Sequence, residues 1–68
     1  MVNRQALKGK IVEQGYNLSS FADAIEMPRA TFARRMKKGV FGSDEIEKMI
    51  KVLDIDDPMP IFFNDEVT

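Results

Sequence analysis

A proline at position 28 interrupts two short apolar patterns of helical spacing, and this break constrains the fold more than any other feature. Helical geometry is disfavoured for the residue before a proline, so a helix that approaches Met27 must stop there. The apolar residues at helical spacing before and after the break are Phe21, Ala22, Ile25, Phe32 and Met36. The pattern predicts two short helices joined by a tight turn over residues 26–28.

The helix predicted over residues 28–38 carries almost only positive charge on its polar face. Pro28 suits the first helical position, where no backbone N–H is needed, and Gly39 suits the position just past the helix end. The cationic residues of this stretch are Arg29, Arg34, Arg35, Lys37 and Lys38. No acidic residue lies among them, although the whole chain has a formal net charge of −1. The stretch therefore indicates a local binding surface for a polyanion.

Charge is divided unevenly between the two halves of the chain. Residues 1–38 have a net charge of +5, and residues 39–68 have a net charge of −6. Such an imbalance is typical of nucleic-acid contact or of an acidic tail. The sequence pI of about 5.3 favours nucleic acid less, because nucleic-acid-binding domains are often basic. We expect the polyanion site in the first half and a mainly solubilising role for the acidic half.

Two further helices are predicted outside the turn. One is expected over residues 4–14, where Leu7 and Ile11 are four apart and Gly15 closes the last turn. The other is expected to follow Ser43 as its N-cap. Its apolar stripe is formed by Ile46, Met49, Ile50 and Leu53. The chain is thus predicted to form a small all-α domain of four to five helices.

The start of the helix over residues 18–25 has more than one capping residue available. Asn17 is the expected N-cap, because a side-chain oxygen at that position accepts a hydrogen bond from the first turn. Ser19 or Ser20 could cap instead, since Ser20 with Asp23 three residues later resembles a weak capping box. Asn17 is the preferred prediction.

Two apolar segments outside these helices also need partners. Val40 or Phe41 is expected to turn inward from the loop that follows the cationic helix. The segment over residues 58–63 is expected either to close the core or to form an interface with another subunit or partner. Its apolar side chains are Met59, Ile61, Phe62 and Phe63. Residues 64–68 are expected to fray.

Length and composition exclude several classes of function. Sixty-eight residues allow one domain, 1–68, whose small core cannot shelter a deep active site. The absence of Cys and His removes the thiol nucleophile and the commonest general base and metal ligand. No apolar run reaches the ~18 residues of a membrane span, and the N-terminus lacks the apolar region of a signal peptide. We expect a cytoplasmic protein that is not an enzyme, with no cofactor, metal, membrane or small-molecule substrate.

Residue types between positions 17 and 39 follow a particular order. A helix cap comes first, then an apolar–alanine pair, an apolar residue on each side of the turn, and a closing polar–glycine pair. The residues at these positions are Asn17, Phe21, Ala22, Ile25, Met27, Lys38 and Gly39. The order resembles the helix-turn-helix of the lambda repressor and Cro-like family of phage and bacterial transcription regulators. Over residues 4–63 the chain looks like a small phage Cro-like regulator.

Three residues depart from that family's pattern. Glu26 stands where the family often has a glycine with positive φ, so either a strained residue or a different turn is expected. Leu18 stands where the family often has a Gln that donates to a phosphate. Pro28 stands where the family often has a Ser or Thr N-cap. These changes leave the fold intact, and the last two remove polar groups that a DNA backbone would use.

The resemblance implies a sequence-specific DNA-binding transcription regulator that places helix 28–38 in the major groove of double-stranded operator DNA. Arg29 and Arg34 would read base edges, two alanines would permit close approach, and Lys37 and Lys38 would contact phosphates. The implied DNA-binding residues are Asn17, Arg29, Ala30, Thr31, Ala33, Arg34, Lys37 and Lys38. Because such proteins bind two half-sites, the resemblance also implies a homodimer.

Alternatives remain at two residues and for the function itself. Thr31 is expected to pack or bond to backbone more than to read a base, and Arg35 to pair with an acid or to contact phosphate. The alternative function is a modulator or antirepressor that binds a partner repressor protein. The acidic pI, Leu18 and Pro28 favour that alternative.

Overall fold

A computed structural model describes residues 2–63 of the chain. Within that range all regular secondary structure is helical, which confirms the predicted small all-α fold. The helices are α1 (Arg4–Glu13), α2 (Leu18–Ala24), α3 (Arg29–Lys38), α4 (Ser43–Leu53) and α5 (Met59–Phe62). The fraying predicted for residues 64–68 lies outside the described residues.

The start of α2 is held by the cap predicted for it. Asn17 Oδ1 accepts a hydrogen bond of 2.7 Å from the backbone N–H of Ser20, and Ser20 Oγ accepts one of 3.0 Å from the N–H of Asn17. This reciprocal capping satisfies two N–H groups that a helix start otherwise leaves without partners. The first turn of α2 is thereby stabilised, although the helix has only 7 residues.

Two other helix starts differ by one residue from the sequence prediction. The prediction of Ser43 as N-cap of α4 is wrong, because Gly42 is the cap and Ser43 is the first helical residue. The Glu45 side chain reaches back and accepts a hydrogen bond of 2.7 Å from the Gly42 N–H, so no Ser cap is needed. Pro28 is the N-cap of α3 rather than its first helical residue, because its ψ of 137° is extended.

A row of aromatic rings crosses the core. Ring centroids lie 5.6 Å apart for Tyr16 and Phe21, 5.7 Å for Phe21 and Phe32, and 5.8 Å for Phe32 and Phe41. The first two pairs meet edge to face, an arrangement that adds to the free energy gained from burying apolar area. Phe41 is the loop residue that turns inward, whereas Val40 is 59% exposed. The row links the α1–α2 turn to the α3–α4 loop.

Outside this row, the largest fully buried side chains come from α1 and α4. Their fully buried side chains are Leu7, Ile11, Met49 and Leu53. Ile46 and Ile50, the other two residues of the predicted apolar stripe of α4, are half-buried and pack against the edge of the core. The buried stripes of α1 and α4 thus agree with the helical spacing of their apolar residues.

The C-terminal apolar segment divides between packing and exposure. Phe62 is buried and Ile61 packs against the core, so the packing prediction is confirmed for these two residues. The Asn3 N–H donates a hydrogen bond of 2.7 Å to the Ile61 carbonyl, which ties α5 to the start of α1. Met59 and Phe63 remain 58% and 47% exposed, so an interface role stays a prediction for them.

The turn between α2 and α3 holds a non-glycine residue in the left-handed region. Glu26 has a φ of +60°, which confirms a strained residue rather than a different turn. Its N–H donates to the Asp23 carbonyl at 3.0 Å, and the Met27 N–H donates to the Ala22 carbonyl at 2.9 Å. These bonds close the end of α2 and fix the direction in which α3 begins.

Replacing Glu26 with Gly is expected to stabilise the protein by about 0.5–1 kcal/mol. Glycine removes a left-handed penalty of ~1–2 kcal/mol but adds roughly 0.5–1 kcal/mol of unfolded-state freedom. The contact of Glu26 with Lys48, at 3.7 Å between exposed side chains, contributes little. Urea unfolding measures the change. Glu26→Ala is the matched control, because it removes the ion pair with Lys48 and keeps the Cβ. Equal stability of the Gly and Ala variants would contradict backbone strain at this position.

Candidate nucleic-acid interface

The exposed face of α3 is the candidate interface. Phe32 and Met36 are buried and hold the opposite face of the helix against the core. Because each residue turns the helix by about 100°, Arg34 lies almost opposite these two side chains. The exposed residues of α3 are Arg29, Ala30, Ala33, Arg34, Lys37 and Lys38. This set, called the α3 face below, contains only cations and alanines.

The two alanines give the α3 face its shape. Ala30 and Ala33 extend only a methyl group from the backbone, so a partner can approach closely between the long charged side chains. Arg34 follows Ala30 by four residues, and Lys37 follows Ala33 by four, so each cation lies beside an alanine on the helix surface. The result is a narrow ridge with small side chains at its centre and positive charge around them.

Arg29 at the start of the α3 face is paired with Asp23 of α2. Arg29 Nη2 donates to Asp23 Oδ2 at 2.7 Å, and Nε donates to Oδ1 at 3.4 Å. These hydrogen bonds, reinforced by the charge of the guanidinium, lower the pKa of the Asp23 carboxyl and raise that of Arg29. The pairing thus favours the charged form of both groups. The stretch 28–38 contains no acid, so its sequence did not indicate this pair.

Arg35 points to α4 and has a structural contact. Its Nη1 donates to Glu45 Oε1 at 3.0 Å, which confirms the predicted alternative of a pair with an acid. The same carboxylate oxygen accepts the Gly42 N–H at the start of α4. Arg35 Nε is buried without a hydrogen-bond partner among the described residues. The side chain thus joins α3 to α4 and lies outside the α3 face.

A surface groove of about 340 Å³ lies between α3, α1 and the start of α2. Its cationic lining consists of Arg4, Lys8, Arg29 and Lys37. Its remaining lining consists of Leu18, Ser19, Phe32, Ala33 and Met36. Arg4 Nη1 donates to the Lys37 carbonyl at 2.9 Å, so this end of α1 is tied to the end of α3. No acidic residue among those described lines this cationic groove, which extends the positive surface of the α3 face.

Asn17 and Thr31 contribute less to the candidate site. Asn17 is exposed at the start of α2, but its Oδ1 is used in the cap with Ser20. The side-chain NH₂ is the group that Asn17 can offer to a partner. Thr31 is half-buried, whereas its neighbour Ala30 is exposed. Its position favours the packing role over the reading of a base.

No family model, curated protein or solved structure matches this chain. Its resemblance to the lambda repressor and Cro-like family therefore stays a prediction. Among residues 2–63, no helix is long and apolar enough to cross a membrane. The acidic residues in that range form no group of three or more that could hold a metal ion.

Sequence reasoning missed Arg4 and Lys8 as candidate site residues. They are four apart and lie on one side of α1, so their spacing could have indicated a shared cationic surface. The packing of α1 through Leu7 and Ile11 determines which helix lies next to this surface. The position of Arg4 and Lys8 beside α3 is therefore a tertiary property that the local sequence pattern does not contain.

Proposed function

We propose that the protein is a sequence-specific DNA-binding transcription regulator that places the α3 face in the major groove of operator DNA. The observation that carries the proposal is the composition of this face, which is limited to cations and alanines among the described residues. The major groove is about 12 Å wide and admits a single helix. A narrow cationic ridge fits that groove and neutralises the phosphates on either side of it.

Base reading is proposed for the two arginines of the α3 face, Arg29 in the first turn and Arg34 in the second. Arg34 is exposed opposite the buried stripe, so its guanidinium can reach furthest toward the floor of the groove. Arginine donates two parallel hydrogen bonds to guanine O6 and N7, worth roughly 1–3 kcal/mol of discrimination. Ala30 and Ala33 allow this approach, and either methyl group can contact a thymine methyl.

Phosphate contact is proposed for the lysines at the end of α3 and the cations of α1. Lys37 and Lys38 are exposed, and Lys37 shares the cationic groove with Arg4 and Lys8. Side chains on two helices can therefore contact the DNA backbone on one flank of the inserted helix. Such contacts supply affinity and orientation without carrying sequence information.

A homodimer is proposed because one recognition helix reads too few bases for a specific operator. Two-fold symmetric half-sites about 34–36 Å apart would place one copy of α3 in each of two successive major grooves. Met59 and Phe63 are large apolar side chains left exposed at the end of the described chain. Burial of these side chains against a second copy would remove apolar surface from water. Sedimentation velocity measures the oligomeric state with and without DNA.

Selection from a pool of random-sequence duplexes tests the proposed function. We expect the retained sequences to converge on a motif with two half-sites about 10 base pairs apart. Circular dichroism before and after the selection verifies that the protein stays helical. A pool that remains random in the presence of folded protein would contradict sequence-specific binding.

Lys38→Ala is expected to weaken binding to selected and unselected duplexes to the same extent. A phosphate contact carries no sequence information, and its loss should reduce the slope of log affinity against log salt by about 1. Fluorescence anisotropy with both duplexes measures the effect. Lys51→Ala is the matched control, because Lys51 is exposed on α4 and outside the proposed interface. An equal loss in both variants would argue against a localised contact.

The alternative function is a modulator that binds a partner repressor protein. The observation that favours it is the apolar lining of the cationic groove, where Leu18 is 39% exposed instead of carrying a polar phosphate contact. An acidic, partly apolar surface on a partner would be complementary to this groove. Size-exclusion chromatography with a candidate repressor distinguishes the functions, since a regulator that acts on DNA alone should not co-elute with it.

A further inference from the structure

The pair between Arg29 and Asp23 uses one particular edge of the guanidinium. Asp23 accepts hydrogen bonds from Nη2 at 2.7 Å and from Nε at 3.4 Å, so its two oxygens lie along the Nε–Nη2 edge. Guanidinium has five N–H donors in a fixed planar arrangement. The N–H groups at the outer end of the side chain, on Nη1 and Nη2, point away from the carboxylate.

That outer end has the geometry that a guanine requires. Two parallel N–H donors from Nη1 and Nη2 match the O6 and N7 acceptors of guanine in the major groove. Without a partner, an exposed arginine samples many rotamers, and fixing it on a base costs conformational entropy. Asp23 restrains Arg29 before DNA arrives, so part of that cost is already met in the free protein.

We propose that Asp23 is a positioning residue that holds Arg29 in the orientation that reads a guanine, which rests on the proposed DNA-binding function. Asp23 thereby raises the selectivity of the protein at one base position and lowers its affinity for DNA of any sequence. Its negative charge lies beside the α3 face and repels the DNA backbone. If Asp23 positions Arg29, its removal should lower base discrimination and raise affinity for random DNA. If Asp23 only neutralises the charge of Arg29, its removal should raise the affinity for every duplex equally.

Asp23→Ala is expected to move two measured quantities in opposite directions. Affinity for random-sequence duplex should rise, because a negative charge beside the DNA is removed. Discrimination between the selected duplex and the same duplex with the guanine replaced should fall by on the order of 2- to 5-fold, because an exposed ion pair restrains Arg29 only modestly. Arg29→Ala should abolish the same discrimination. In the Arg29→Ala background, Asp23→Ala should cause no further loss, since the residue acts through Arg29.

Asp56→Asn is the matched control for charge. Asp56 is exposed in the turn after α4, so its substitution changes net charge by the same amount without touching α3. We expect it to leave base discrimination unchanged. Thermal unfolding of both variants verifies the fold, and the exposed pair of Asp23 and Arg29 should contribute little to it.

The outcomes of these experiments distinguish the positioning role of Asp23 from the proposed DNA-binding function. If Asp23→Ala strengthens selected and random duplexes by the same factor, or changes neither, Asp23 does not position Arg29 and the inference is wrong. In both of those cases the wild-type protein still binds its selected duplex, so the proposed function stands. If the wild-type chain shows no preference among duplexes, the proposed function fails and the inference fails with it.

Discussion

Phe21→Ala is expected to lower the midpoint of thermal unfolding by about 15 °C or more. Phe21 is fully buried, and its ring contacts Tyr16 on one side and Phe32 on the other. Truncating a buried Phe to Ala costs roughly 3–5 kcal/mol, because the cavity closes only partly. A domain of this size has a stability near the low end of ~5–15 kcal/mol, and each kcal/mol shifts its midpoint by about 4–8 °C.

Differential scanning calorimetry of the wild-type chain, of Phe21→Ala and of a control variant makes this comparison. Val12→Ala is the control, because it truncates an apolar side chain of α1 that is 67% exposed and lies outside the proposed interfaces. We expect it to change the midpoint by only a few degrees. Similar midpoints for both variants would show that the row of aromatic rings is not the centre of the core.

Arg34→Glu is expected to weaken binding to the selected duplex by about 100-fold or more. The substitution removes a guanine contact worth roughly 1–3 kcal/mol and adds repulsion by nearby phosphates. Arg34 has no ion pair among the described residues, so this change leaves the packing of α3 intact. The fold should therefore survive, and the loss should appear in DNA affinity alone.

Lys51→Glu provides the matched control for Arg34→Glu. It makes the same change in net charge on α4. The ion pair that it removes, at 3.8 Å between the exposed side chains of Lys51 and Glu47, contributes little to stability. Fluorescence anisotropy with one selected duplex measures both variants at the same salt concentration. We expect the α4 variant to lose much less affinity. Equal losses of affinity would show that the net charge of the protein, and not a contact of the α3 face, determines binding.

The helices could be predicted because their apolar residues repeat at helical spacing and their ends carry recognisable signals. Asn17 caps the start of α2, Pro28 stops the same helix before α3, and Gly39 in the left-handed region ends α3. The prediction of Ser43 as the N-cap of α4 is one residue late, because Glu45 reaches back to the Gly42 N–H and replaces a Ser cap. Two acceptable caps one residue apart are not distinguished by residue type alone.

The candidate site was predicted as a stretch of α3 but not as a surface. Asp23 and Arg29 are six residues apart on different helices, so their pairing depends on the direction of the turn at Glu26. Arg4 and Lys8 join α3 only through the packing of α1. Contacts of this kind arise from tertiary geometry, whereas the exposure of Arg34 follows from the positions of the buried residues on its own helix.

The salt dependence of DNA affinity tests most directly the central claim that the α3 face and the cationic groove contact DNA. Four cations are assigned to phosphates: Arg4, Lys8, Lys37 and Lys38. Fluorescence anisotropy with the selected duplex, at salt concentrations between about 50 and 200 mM, gives the slope of log affinity against log salt. We predict a slope of about −3.6 per protomer, from roughly −0.9 for each of the four phosphate contacts. A slope near zero would contradict the claim.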